Sequence, residues 1–222
     1  MQHVNFYPWR GARYDTGINN KRILILGESH YCEDSDKSQK SRHRCPKEFD
    51  NYCISCYMDR ECHEKTINTI VEHLSRENYR THKTFESLVN GHSLSEKERF
   101  EFWHHLAFYE YIQYAQPKPK MPLKQGDPTQ NRNAFLEVLD LLKPDKIIIW
   151  GKRFYHLLLN EFGGEIIVHP TYPRAWNWKI NNIDILIVDH PCCPYGRSRK
   201  LGQIIREFIF QTGQAGEYNA IF

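Results

Sequence analysis

In Ile23-Leu24-Ile25-Leu26-Gly27-Glu28-Ser29-His30-Tyr31, four successive apolar residues meet a glycine and then a polar, aromatic run. An apolar run without alternation predicts a strand buried on both faces, as in a parallel sheet covered by helices. Glu28 to Tyr31 then reads as the turn that leaves it. The same pattern recurs downstream. Ile147 to Trp150 ends at Gly151, Ile166 to Val168 ends at His169, and Ile183 to Val188 ends at Asp189-His190. Phe108 to Gln113, aromatic and β-branched, is a further strand and carries Glu110. Helical spacing of Ile67, Ile70, Val71 and Leu74 predicts an amphipathic helix from Glu64 to about Asn78. Others follow through Phe100 and Trp103, over Asn133 to Leu142, from Phe154 to Phe162 and along Leu201, Ile204, Ile205 and Phe208. Ser95 to Glu98 resembles a capping box one residue short. Trp176 and Trp178 fall in an excursion between strands. Strands alternating with helices predict an α/β fold with a mostly parallel sheet and helices on both faces, which binds ligands at the carboxyl ends of its strands.

A length of 222 residues fits one domain over residues 1–222. No run approaches the roughly 18 consecutive apolar residues of a membrane helix, and Met1 to Trp9 has no secretory pattern, so a cytoplasmic protein without membrane contact is expected. The net charge of +3 is modest but unevenly spread: Lys37 to Arg44, Pro117 to Gly126 and His190 to Arg206 hold basic residues and no acid. Basic loops with an aromatic content of 14 % suit a nucleic-acid partner.

Of seven cysteines, five lie between Cys32 and Cys62, in a charged stretch without periodicity. Clustered cysteines in a chain without a signal peptide point to a metal rather than to disulfides. The expectation is a metal-held insertion over residues 32–63, with Cys45, Cys53, Cys56 and Cys62 around structural zinc. His63, His43 or Cys32 are possible replacements for one ligand, and an iron–sulfur cluster is the alternative.

The first strand with Gly27-Glu28-Ser29-His30-Tyr31, and Asp189-His190-Pro191-Cys192-Cys193-Pro194 after the last strand, resemble the two active-site motifs of the uracil-DNA glycosylase superfamily. Phe6 to Gly11, Phe102 to Gln113 and Leu139 to Gly151 look like a divergent, glycosylase-like branch of it. The resemblance covers most of the chain outside residues 32–62. It implies a three-layer sandwich around a four-stranded, mostly parallel sheet, and a monomer that hydrolyses the N-glycosidic bond of a pyrimidine flipped out of DNA.

The resemblance also implies roles. His190 corresponds to the histidine that donates to the base O2, with His169, a second His-Pro after a strand, as its rival. Ser29 stands where the best-known members carry a water-activating Asp or Asn. Glu28, beside it, is the nearest carboxylate; the alternatives are a water held by Ser29 and backbone, or a lost activity. Tyr31 falls at the position that packs against C5 of the pyrimidine, and His30 accompanies it in base recognition. Glu110 replaces an Asn that reads the uracil edge; ionised, it is an acceptor that suits the amino group of cytosine, and protonated it could also donate to N3 and assist a poor leaving group. Modified cytosines, including those of phage DNA, therefore join uracil as expected substrates, giving roles in defence or repair. Tyr195, Arg197, Arg199 and Lys200 stand in and after the loop that wedges the duplex, and Lys118 and Lys120 in the proline-rich clamp. Two other readings compete: an inactive nucleic-acid-binding module of the same fold, and a hydrolase of free nucleosides or nucleotides.

Overall fold

A computed structural model of the chain describes residues 1–31, 63–76, 79–116 and 126–210. Its centre is one sheet of β1 (Trp9–Arg10), β2 (Ile23–Tyr31), β3 (Leu106–Gln116), β4 (Lys146–Trp150), β5 (Ile167–Val168), β6 (Trp176–Ile180) and β7 (Ile183–Val188). The spatial order is β1-β3-β2-β4-β7-β6-β5. The expected four-stranded sheet is therefore too small. The block β3-β2-β4-β7 is mutually parallel, whereas β1 is antiparallel to β3, β6 to β7 and β5 to β6. The missed strands are β1, a two-residue edge piece paired with a strand remote in sequence, and β6, which lies between β7 and β5. β6, expected as an irregular excursion, returns to β7 through Asn181-Asn182, with Asn181 in the left-handed region at φ 53°.

Among the described residues six α-helices cover the sheet: α1 (Lys65–Arg76), α2 (Arg80–Asn90), α3 (Glu96–His104), α4 (Pro128–Leu142), α5 (Tyr155–Phe162) and α6 (Arg199–Phe210). On one face Leu24, Leu26, Tyr109, Tyr111, Ile147, Ile149 and Ile187 pack with Phe135 and Val138 of α4 and Leu158 of α5. On the other, Ile23, Ile25, Phe108, Ile148, Trp150, Leu186 and Val188 meet Ile70 of α1, Phe85 of α2, Trp103 of α3 and Ile205 of α6. The result is three layers, with the parallel strands buried on both sides as their unbroken apolar runs require.

Three local expectations are corrected. Glu28 to Tyr31 is not a turn: β2 continues to Tyr31 because β3 pairs with it at Ser29↔Ile112 and, after an irregularity, at Tyr31↔Gln116. The capping box is complete, since Ser95 is the N-cap, its Oγ accepts from Glu98 N, and Glu98 Oε2 accepts from Ser95 N at 2.8 Å. Helix α2 escapes a hydrophobic pattern because two of its buried residues, His82 and Glu86, carry polar side chains. Among the described residues no helix is long and apolar enough to cross a membrane.

Candidate active site at the carboxyl edge of the parallel strands

Chain order in the parallel block reverses beside β2, which sends β3 to one side and β4 to the other. A crevice beyond the carboxyl ends of strands at such a reversal is where open α/β sheets bind ligands. Glu28 lies near the end of β2, and the segment after β4 supplies Arg153, whose Nε donates to Glu28 Oε2 at 2.9 Å and whose second guanidinium nitrogen donates to Oε1 at 2.5 Å. This bidentate pair bridges the reversal and holds the carboxylate in one orientation. Arg153 was not foreseen. Its signal was a cation just past the end of a buried strand, facing a carboxylate that only the sheet order brings near.

Glu110 on β3 is level with Gly27 on β2, and its carboxyl leans over that glycine so closely that a Cβ there would collide with it. Gly27 thus opens the space the carboxyl occupies. Glu110 Oε2 is enclosed and has no hydrogen-bond partner among the described residues. Burial, reinforced by the charge of Glu28, pushes the Glu110 pKa up to about 8. Beyond Gly27, on the same face, stands Trp150, packed at 4.9 Å between ring centroids on Phe85 and 5.5 Å on His82. Trp150 Nε1 and both ring nitrogens of His82 are likewise buried without a partner among the described residues. Desolvation draws His82 well below the usual imidazole range.

The raised Glu110 pKa has a stability consequence. The folded chain keeps this proton to about pH 8, whereas the unfolded carboxyl loses it near 4.5. The folded state binds the extra proton between those values, so stability falls as pH rises through that window, by at most about 1.4 kcal/mol per pH unit. Glu110→Gln is expected to remove this component. Urea unfolding of both proteins at pH 5 and pH 8 measures it, and an unchanged pH dependence in the variant would contradict the assignment.

After β7, Asp189 is buried and grips Arg174 through two bonds of 2.6 and 2.9 Å, with Lys152 Nζ at 3.9 Å. The Arg174 guanidinium in turn lies 3.8 Å over the ring of Tyr195, whose backbone oxygen accepts from Tyr172 Oη at 3.4 Å. Tyr195 is 57 % exposed, an aromatic ring presented to solvent on a braced loop. His190 sits against Gly151, with its ring 6.3 Å from Trp150. The ring is accessible but backed by protein, and desolvation lowers its pKa. Its Nδ1 accepts from the amide of Cys192 at 3.2 Å. The neutral ring therefore carries its proton on Nε2, which becomes a donor.

The fold brings Glu28, Glu110, Tyr31 and His190 to one edge. Tyr31 lies close enough to Glu28 and Glu110 for their charges, with burial, to raise its phenol. Ser29 is buried within β2. His30 is committed elsewhere, its Nε2 2.7 Å from Thr66 Oγ1 on α1 and its ring edge-on to Phe6, and burial lowers its pKa to about 3. His169, the rival histidine, follows edge strand β5, with β6 between it and β7, and its Nδ1 is 3.3 Å from Thr171 Oγ1. His63 Nδ1 is 2.6 Å from Asn5 O. Cys45, Cys53, Cys56 and Cys62, with Cys32 and His43, lie outside the described residues, as do Lys118 and Lys120. Arg197 and Arg199 line a cavity of about 530 Å³ together with Arg80 and Lys83 of α2, two residues the sequence did not single out. Lys200 is exposed beside them. No protein-family model and no curated protein matches the chain.

Proposed function

We propose that this chain is a DNA glycosylase that hydrolyses the N-glycosidic bond of a pyrimidine turned out of the helix. The observation that carries the reading is His190: its Nδ1 is occupied as an acceptor, so Nε2–H is presented at the edge shared with Glu110 and Glu28. In this reaction the C1′–N1 bond breaks, its electron pair leaves with the base, and water adds to C1′ and gives up a proton. Negative charge grows on the base O2, where a fixed Nε2–H stabilises it. Glu28, oriented by Arg153, supplies negative potential to the sugar cation. The Tyr195 ring, braced by Arg174, is suited to fill the gap left by the flipped nucleotide.

The raised Glu110 pKa changes the expected base preference. An ionised carboxylate only accepts, which favours the cytosine amino group. A carboxyl that keeps its proton at neutral pH offers one donor and one acceptor, and this pair matches the N3 and position-4 groups of either pyrimidine. Base choice then rests on C5, next to Tyr31, and the substrate class includes uracil and the 5-modified cytosines.

The experiment is an abasic-site assay. Matched oligonucleotides and phage DNAs containing uracil, cytosine, hydroxymethylcytosine or its glucosylated form are incubated with the protein and cleaved with alkali. Strand breaks at one base are the expected result; no breaks on any substrate, with salt-sensitive DNA binding retained, would leave the fold as a binding module. One observation favours that second reading: both oxygens of Glu28 are already engaged by Arg153, where an activated water would need one of them.

A further inference from the structure

We propose that the groove between α2 and α6 carries the phosphodiester backbone of a single nucleic-acid strand on its way from the His190 edge. The cavity of about 530 Å³ is lined by Arg80, Lys83, Arg197, Arg199 and Arg206, and among the described residues no carboxylate lines it. Ser87 places a hydroxyl between the cations, while the Thr84 hydroxyl donates to Arg80 O at 2.9 Å. It begins at the candidate site, because Thr81 of α2 contacts Cys192 Sγ and Arg197 donates to Cys192 O at 3.1 Å, in the loop that follows His190.

Three features select a strand over a small anion. The cations do not converge on a point. From Arg80 to Ser87 and from Arg199 to Arg206, each helix advances about 10 Å at 1.5 Å per residue. That length is several times the roughly 3.4 Å axial rise per strand charge, so the groove spans more than one phosphate. The two helices also pack closely, for a Cβ on Gly202 would meet Leu88 O at 3.0 Å, and a cleft between packed helices admits one backbone but not the width of a duplex. Finally, the first turns of α2 and α6 contain no acid and begin with arginine. Positive charge at the positive end of a helix dipole is unfavourable by itself, and an anionic ligand offsets it. Arg206 has a second task in holding Leu88 O at 2.6 Å, so the test is better placed on the other cations.

The inference rests on the nucleic-acid part of the reading above and not on its chemistry. The test is fluorescence-anisotropy binding of a labelled oligothymidylate to the whole chain across a salt series. The triple variant Arg80→Ala, Lys83→Ala, Arg199→Ala is expected to bind at least about tenfold more weakly, with the slope of log K against log salt reduced by about 2, some 0.7 for each lost phosphate contact. The single reversal Arg199→Glu, checked by its thermal melt, serves should the triple variant fold poorly. Unchanged affinity and slope, with abasic sites still formed, overturn this proposal alone. Displacement of the oligonucleotide by pyrophosphate or polyglutamate at matched ionic strength overturns it in favour of a small-anion or acidic-peptide site. Failure of the unsubstituted chain to bind any oligonucleotide overturns both this proposal and the glycosylase reading.

Discussion

His190→Ala is expected to slow abasic-site formation about a hundred- to a thousandfold, the range for loss of one preorganised donor at a developing anion. Affinity for the intact oligonucleotide should change little, because the donor matters most once charge has reached the base. The Cys192 amide bond to Nδ1 makes the ring a donor through Nε2, so His190→Asn, which keeps an amide donor, should recover part of the rate. Burial lowers the His190 pKa, so any inflection of the wild-type rate due to this residue should lie below the ordinary imidazole value. Single-turnover rates of the three proteins on one substrate decide the matter. Equal rates for wild type and His190→Ala would remove His190 from the chemistry and reopen the case for His169.

Glu86→Ala is expected to destabilise the fold by about 3–5 kcal/mol, the range for stranding one partner of a buried ion pair. Glu86 is 1 % exposed on α2 and gathers three side chains from two other helices: His73 Nε2 of α1 at 2.5 Å, Trp103 Nε1 of α3 at 2.8 Å and Arg99 Nε of α3 at 3.4 Å. Its removal leaves the Arg99 guanidinium, 2 % exposed, without that carboxylate, and leaves the Trp103 N–H without its acceptor. Against a total of about 5–15 kcal/mol, such a loss is a large fraction of stability. Glu86→Gln keeps an acceptor and the shape and should cost less. Urea unfolding with a constant m-value measures both, and a change below about 1 kcal/mol for Glu86→Ala would mean that the cluster is solvated rather than sealed. Because α2 also carries His82 behind Trp150 and Arg80 in the groove, this cluster sets the depth at which both features sit.

Much of the fold is legible from short stretches. Ile23 to Leu26, Ile147 to Trp150 and Ile185 to Val188 are apolar without alternation, and such runs suit strands covered on both faces, so the α/β class and the strands that bear Glu28 and lead to His190 follow from the letters. Helix α1 shows because its apolar residues recur at helical spacing. Helix α2 does not, because His82 and Glu86 are buried by partners on other elements and look polar in isolation. Edge strand β5 is legible as Ile166 to Val168, but β1 is silent: it is two residues long, and its strand character lies in bonds to Phe108–Ala107 rather than in its own pattern. At the site, His190 was visible as a residue past a strand end, and Glu28 and Glu110 as carboxylates close to or within apolar strands. The bidentate hold of Arg153 on Glu28, the lean of Glu110 over Gly27 and the tautomer of His190 were not. The first two are consequences of which strand lies beside which, and the third of the local turn that sets the Cys192 amide on Nδ1. Local sequence dictates backbone periodicity and apolar faces, whereas charge pairing and desolvation depend on atoms brought together from distant parts of the chain, and only the packed sheet sets those distances.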